Sequence, residues 1–421
     1  MSGFTETTRR YVLGVLVVVY TFNFIDRQIL SVLLDPIKHA LGLTDAELGW
    51  LSGTAFALFY ATLGMPIARW ADRGNRRNLI ALALAVWSAM TALSGLATNF
   101  WALLGARVGV GVGEAGCSPA AHAIIADYYP VARRATALGI YALGIPLGIL
   151  FGFLAGGWMN EFFGWRSAFF VVGLPGLALA LLVRFTVREP PRGMAEGRTT
   201  TAPQPTVAET MRFLWSRRSF RHLVAGASLT AFVGYSVVTW APAFLGRSFG
   251  MSSGAIGTWL GLVIGIAGGI GIVLGGQLAD RLGGRDPRWY LWIVAIALLG
   301  GLPFTFGVFL ASTPAISLVC LIAPVLLGNF YQATTFSQTQ GLAGLRMRAM
   351  AASVMLFIAT IIGLALGPWS VGVLSDVLAP RYGAESLRYA LLAVSFVNVW
   401  SSLHFYIGGK YLGADLRAAP A

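Results

Sequence analysis

An all-α fold that crosses a membrane twelve times, as two bundles of six helices, is what this sequence predicts. Three observations predict it. The 421 residues are 57% hydrophobic and only 11% charged, with a mean hydropathy of +0.72. Soluble proteins carry about 25% charged residues, so much of this chain's surface has to face lipid. Apolar stretches near membrane-spanning length recur along the whole sequence. Finally, the lysines and arginines fall almost entirely on alternate connections between those stretches, as topology signals do.

The first six spans are expected at about 11–34, 47–68, 78–98, 100–125, 136–158 and 167–186. The first is too long for a signal-peptide core and no small-residue cleavage site follows it, so it is expected to be retained. Only Thr98-Asn99 separates the third from the fourth, which requires a very tight turn. Gly-x-x-x-Gly spacing runs through the fourth (Gly105, Gly109, Gly113) and the fifth (Gly144, Gly148, Gly152, Gly156), where small faces allow close helix crossing. Next comes the longest connection, 187–219. Its Glu189-Pro190-Pro191 and the following Gly, Thr and Pro read as linker, and Val207–Trp215 has the spacing of a short amphipathic helix. The second six spans are expected at about 220–244, 254–279, 289–310, 315–340, 349–374 and 386–408. The organisation is therefore an N-terminal bundle (1–186), a cytoplasmic linker (187–219), and a C-terminal bundle with a short tail (220–421).

With these spans, 23 of the 30 Lys and Arg lie on one side and 5 on the other, while Arg27 and Arg107 lie within spans. That asymmetry puts both termini in the cytoplasm of a plasma or bacterial inner membrane. It also accounts for the net charge of +13 without any nucleic-acid partner. Cys117 and Cys320 sit in apolar runs and form neither a disulfide framework nor a metal-binding pattern. No Gly-Lys-Ser/Thr run exists for ATP, and Gly109–Gly113 lacks the preceding strand of a dinucleotide site. His122 and His404 have no partner at catalytic spacing. An enzyme is not indicated, and no cofactor or metal is implied.

The two halves carry a weak repeat. Ala71-Asp72-Arg73-Gly74-Asn75-Arg76-Arg77 follows the second span, and Ala279-Asp280-Arg281-Leu282-Gly283-Gly284-Arg285 follows the eighth. Such matched loops fit parallel halves related by an axis along the membrane normal. With Gly276, the second loop matches the loop signature of the major facilitator superfamily; the first departs from it at Ala68 and Asn75. Arg107-x-x-x-Gly111-x-Gly113 and Gly164-Trp165-Arg166-Ser167-Ala168-Phe169-Phe170 match two further signatures. Phe153 replaces the proline typical of drug antiporters. Within that superfamily the chain resembles the spinster-like lipid transporters. The resemblance rests on Asn23-Phe24-Ile25-Asp26-Arg27, Gly111-Val112-Gly113-Glu114-Ala115 and Ser386-Leu387-Arg388-Tyr389-Ala390. It implies alternating access and proton-coupled transport of lysolipids or sphingoid lipids, with Asp26 and Glu114 at the positions of the implicated acids.

The residues themselves point the same way. Asp26 and Glu114 are the two acids deep in the spans, joined by Arg27 and Arg107. Ionisable groups at that depth are costly and mark function. By helical rise, Asp26 and Arg107 each lie about 12 Å below the outer end of their spans, with Glu114 about 10 Å deeper. Asp26 is therefore expected to be held ionised by Arg107. Glu114, with no fixed cation beside it in the sequence, is expected to be the main proton-coupling acid. Arg27 projects about 100° from Asp26, either toward the cavity or across to another span. Both arginines are candidates for an anionic head group. The alternative is an inert ion-pair cluster that locks packing.

In the C-terminal half, Tyr235, Trp240, Asn329, Tyr331 and Phe357 are candidates to line a cavity, with ordinary packing as the alternative for each. Asp72, Arg73, Asp280 and Arg281 are candidates for a cytoplasmic gate, through helix capping or ion pairing. The leading expectation is a proton-coupled carrier of an anionic amphiphile such as a lysophospholipid or sphingoid phosphate, functional as a monomer among membrane lipids. An organic-anion or sugar-acid carrier, a multidrug exporter and a channel are the alternatives.

Overall fold

The computed structural model describes residues 4–191, 194, 206–343 and 347–418 and contains no strand among them. Its helices are α1 (Glu6–Leu41), α2 (Asp45–Gly49), α3 (Ala55–Arg73), α4 (Arg76–Ser94), α5 (Phe100–Glu114), α6 (Cys117–Tyr128), α7 (Val131–Ala142), α8 (Gly144–Phe163), α9 (Trp165–Thr186) and α10 (Val207–Ser216). They continue as α11 (Arg218–Phe249), α12 (Ser253–Leu262), α13 (Gly268–Gly283), α14 (Trp289–Phe309), α15 (Pro314–Gly328), α16 (Phe330–Ala343), α17 (Arg348–Ala359), α18 (Leu366–Tyr382), α19 (Ser386–Ser395) and α20 (Val397–Arg417). One-turn π-helical segments join α2 to α3 (Trp50–Thr54), α12 to α13 (Val263–Ala267) and α17 to α18 (Thr360–Ala365).

These pieces build the expected twelve-helix fold. Nine stretches among the described residues are long and apolar enough to cross a membrane, and the last, Met350–Arg417, runs through both of the final two spans. The expected second span appears as α2, a π turn and α3; the fourth appears as α5 and α6, broken at Ala115-Gly116. The ends follow local chemistry. Thr5 caps α1 by accepting the Thr8 N–H, and Gly42 ends it at φ 65°. Gly250 ends α11 in the same way, six spans later, at φ 65°. The expected amphipathic helix forms as α10, started by a capping box between Thr206 and Glu209.

The chain forms two compact units. The first contains Met1–Leu43, Ala55–Thr201 and Ser252–Gly261; the second contains Thr44–Thr54, Ala202–Met251 and Leu262–Ala421. In the first, α1 packs along α8, and α4 packs between α5 and α9. The α1–α8 seam is the glycine stripe of the fifth span. A Cβ on Gly144 would meet Tyr20, on Gly148 Phe24, on Gly152 Gln28, and on Gly156 Ile29. The four-residue step of these glycines on α8 keeps the two helices in close contact over about three turns, which holds the stretch of α1 that carries Asp26 in place. In the second unit, α11 packs along α20, and α14 packs against α15 and α20. Phe220, Leu223, Leu291, Phe405 and Leu412 are buried in its core, and α10 docks there through buried Leu214.

Candidate functional site

Asp26 and Arg107 are each 1% exposed, and Glu114 is fully buried. All three belong to the first unit. The fourth span reaches them because its glycines admit neighbouring backbones. A Cβ on Gly111 would come within 2.8 Å of the Phe56 carbonyl, and one on Gly113 within 2.7 Å of the Trp87 nitrogen. Glu114 is the last residue of α5, at the break in that span.

Arg27 takes the second of its two expected directions, across to the fourth span. Its Nε donates to Glu114 Oε2 at 2.7 Å. Its guanidinium lies 5.1, 4.9 and 4.8 Å from the ring centres of Phe24, Phe56 and Tyr60, an aromatic cage that favours a desolvated cation. This corrects the premise that Glu114 lacks a fixed cation. Sequence separation hid the pairing: a long arginine side chain reaches the end of α5, although the residues are 87 apart.

Asp26 lies beside Thr91 and within electrostatic reach of Glu114, Arg107 and Arg27. The closest expected pair, Asp26 with Arg107, is electrostatic and not a direct hydrogen bond among the described residues. Asp26 Oδ1, Arg107 Nε and Nη1, and Glu114 Oε1 are buried without a hydrogen-bond partner there. Asn23, beside Glu114, adds an unpartnered Oδ1 and Nδ2. A buried polar atom left unsatisfied costs about 1–3 kcal/mol, more when charged. Two carboxylates, one caged guanidinium and one under-bonded guanidinium thus form a cluster with spare capacity for protons or an anion.

The other candidates lie apart. Trp240 does not line a cavity: it is fully buried, and its Nε1 donates to the Pro368 carbonyl at 2.8 Å. Its apolar bulk and single donor make it a packing residue between α11 and α18. Tyr235 is exposed and lies near Tyr331. Asn329 donates to the Val325 carbonyl at 2.7 Å and accepts from Gln332 at 3.0 Å; Tyr331 and Phe357 are half-buried. Asp280 and Arg281 are exposed at the end of α13, with no ion pair among the described residues. Asp72 and Arg73 fall in the last turn of α3, and their side chains lie outside the described residues.

Sequence reasoning missed the strongest charge node of that loop. Arg76, 4% exposed, donates to Asp127 at 2.5 Å, to Glu189 at 2.7 Å and to the Pro190 carbonyl at 3.0 Å. Glu189 also accepts the Arg77 N–H at 2.8 Å, and Tyr128 donates to the Arg188 carbonyl at 2.7 Å. The start of the linker is thereby tied to α4 and α6. The signal available was an acid, Glu189, followed by two prolines immediately beyond a span.

The profile of the Major Facilitator Superfamily matches residues 16–368. An "MFS-type efflux pump" of Mycolicibacterium smegmatis is 38% identical over 96% of this chain and 93% of its own length. "Protein spinster homolog 1" of Homo sapiens is 29% identical over all of this chain and 84% of its own. Among solved structures, a bacterial homolog of the human lysosomal transporter Spinster, inward-facing and unoccupied, is similar at a TM-score of 0.91. It is 32% identical, and the match covers 98% of this chain and 99% of that one.

Proposed function

The chain belongs to the major facilitator superfamily and, within it, to the spinster-like group, and on that premise we propose a proton-coupled secondary carrier of an anionic amphiphile working by alternating access. One observation carries the reading: a fully buried Arg107 guanidinium with two unpartnered nitrogens beside two carboxylates. A guanidinium in that state binds a phosphate or carboxylate head strongly, because the anion satisfies donors that are otherwise left buried.

Proton coupling follows from the same cluster. Glu114 is ion-paired to Arg27 and is best placed to stay ionised. Asp26 has a free carboxylate oxygen and no direct cation bond, so protonation there removes a buried charge most readily. The two acids thus exchange the order expected from sequence. Binding of an anion at Arg107 withdraws positive charge from Asp26 and favours proton uptake, which links the two events. Arg27 acts as the second head-group cation once substrate competes with Glu114. Tyr235, Asn329, Tyr331 and Phe357 supply polar and aromatic surface from the second unit for the rest of the amphiphile.

In this reading the rocking bodies are 1–186 and 220–421, joined by 187–219. The arginine-rich ends face the cytoplasm of a plasma or bacterial inner membrane, Asp72, Arg73, Asp280 and Arg281 guard that side, and one chain suffices. A second reading, export of other organic compounds, is favoured by the name of the 38%-identical relative. Binding of a lysophospholipid, a sugar acid and a lipophilic cation to the purified protein separates the two. The proposal expects lysophospholipid binding that is lost in folded Arg107→Ala. Binding of the cation alone, unaffected by that substitution, would overturn it in favour of export of cationic compounds.

A further inference from the structure

Two aromatic side chains of the second unit stack where its helices reach the arginine-rich side. Trp292, in the first turn of α14, and Tyr406 of α20 have ring centres 5.6 Å apart and planes 23° apart. The Trp292 Nε1 donates to the Tyr406 carbonyl at 3.1 Å, which fixes the indole. Trp289 meets Trp292 edge-on at 5.9 Å. Glycine makes this approach possible: a Cβ on Gly409 would lie 2.6 Å from the Trp292 ring and 3.1 Å from the Arg288 carbonyl. Arg288 and Lys410 therefore leave adjoining backbones.

Both cations rest on this aromatic platform. The Arg288 guanidinium is 5.8 Å from the centre of the Trp292 ring, and Lys410 Nζ is 4.5 Å from that of Tyr406. Both residues are exposed, and neither forms an ion pair among the described residues. The acids nearest in sequence take other hydrogens. Asp286 accepts the Arg288 backbone N–H at 3.0 Å, and Asp415 accepts the backbone N–H and hydroxyl of Ser219 at 2.8 and 2.7 Å. A topology signal needs only charge outside the membrane. It does not need two cations held over a stacked pair of rings.

An apolar track leads away from the platform. Ile296 and Leu299 follow Trp292 along one face of α14, and Leu403 and Val399 precede Tyr406 along one face of α20; all four are exposed. The two helices meet again at Phe306 and Phe396, whose ring centres are 5.6 Å apart. A crevice lined by Leu302, Thr305, Leu392 and Ser395 lies beside them. From Lys410 to Phe396 the helical rise is about 21 Å, and the apolar half of one leaflet is about 15 Å deep. The track is thus long enough for one acyl chain.

We propose that the α14–α20 seam binds one anionic phospholipid of the surrounding membrane, its phosphate between Arg288 and Lys410 and an acyl chain along Ile296, Leu299, Leu403 and Val399. The phosphate supplies a counter-ion through charge-assisted hydrogen bonds, which strengthen as the local dielectric falls. Trp292 and Tyr406 then lie at headgroup level, where amphipathic rings are favoured. A zwitterionic lipid brings its own cation and gains less. The bound lipid bridges α14 and α20 and so fastens the last helix of the chain. The seam belongs to the second unit and the Arg107 cluster to the first. The inference therefore rests neither on proton coupling nor on the nature of the transported compound.

The test is native mass spectrometry of the purified full chain, titrated with phosphatidylglycerol or with phosphatidylcholine of the same acyl chains. One phosphatidylglycerol adduct is expected, about tenfold tighter than that of phosphatidylcholine. Arg288→Gln/Lys410→Gln is expected to weaken it about tenfold or more. Arg212→Gln/Arg218→Gln removes as much exposed charge from the same unit and is expected to leave it unchanged. Arg107→Ala is expected to keep the adduct even where it loses lysophospholipid, so the two sites fail separately. Loss of the adduct in Arg107→Ala overturns the seam, because the lipid then sits in the transport site. Equal affinity of the two lipids, or equal weakening in both double variants, overturns it in favour of an ordinary lipid-facing surface. Displacement by millimolar inorganic phosphate shows a free-anion site and overturns the lipid. If Arg288→Gln/Lys410→Gln does not fold, Lys410→Gln alone decides, and the parent's affinity in that variant overturns the proposal.

Discussion

Arg27 donates its Nε–H to Glu114 at 2.7 Å while three aromatic rings surround its guanidinium. That pairing leaves Asp26, one residue before Arg27, as the acid without a direct cation bond. Asp26→Asn should therefore keep the protein folded and reduce uptake driven by an imposed pH gradient to the level seen without a gradient. Glu114→Gln should weaken the hold on Arg27 and reduce ligand binding and uptake together. Proteoliposome uptake with both substitutions checks this. Gradient-dependent uptake surviving in Asp26→Asn but lost in Glu114→Gln would restore the order expected from sequence.

Arg76 joins α4 to α6 and to the start of the linker through Asp127, Glu189 and the Pro190 carbonyl. Replacing it with alanine strands two half-buried carboxylates and should cost about 3–5 kcal/mol. Thermal unfolding of the detergent-solubilised protein should show a large drop in midpoint for Arg76→Ala. Glu189→Gln keeps hydrogen-bond capacity and should show a smaller one. Equal midpoints for Arg76→Ala and the parent would mean that the node contributes nothing.

Gly148 faces the backbone of Thr21 and Phe24, where an added Cβ overlaps atoms that cannot swing away. Gly148→Val should destabilise by about 1–3 kcal/mol or more and displace Asp26 by forcing α1 from α8. Gly105, with nothing close to an added Cβ, is the control. Gly105→Ala should leave both stability and uptake unchanged. A Gly148→Val protein as stable as Gly105→Ala would show that the seam can open without penalty.

Glu209 closes the capping box of α10, accepting the Thr206 N–H at 2.8 Å and the Thr206 hydroxyl at 2.9 Å. Those donors hold its carboxyl below the usual glutamate range. A depressed folded value means that the capping contribution is fully present above the ordinary glutamate pKa of about 4.3. It is lost as the pH falls through the lower, folded value. Amide exchange at Met211–Leu214 should therefore quicken as the pH drops below that range, after correction for intrinsic rates. In Thr206→Ala the same amides should exchange about fivefold faster at neutral pH. Unchanged rates in that variant would show that packing of Leu214, not the cap, holds the helix.

Buried Asp45 and Arg76 were not legible in the linear sequence, whereas membrane class, the twelve spans and three of the buried charges, Asp26, Arg107 and Glu114, were. Each depends on short-range or summed properties: apolar run length, charge on alternate loops, and the cost of an ion at depth. The α10 helix was legible for the same reason, since Thr206 and Glu209 are three residues apart. Partner choice among the charges was not. Arg27 and Glu114 are 87 residues apart, Arg76 and Glu189 113, and Asp45 and Arg247 202. Which carboxylate a guanidinium reaches depends on how closely helices approach and how they are rotated. The glycine faces of α5 and α8 set that approach, and their effect exists only when the neighbouring helices are in place. Trp240 makes the same point: its sequence neighbours suit a cavity wall, but α18 covers it and takes its one hydrogen bond. The sequence by itself therefore determined the membrane class and which ionisable groups lie within the spans. Only the tertiary structure decided which of them are paired and which retain free capacity, because pairing is a property of interhelical geometry and not of any single helix.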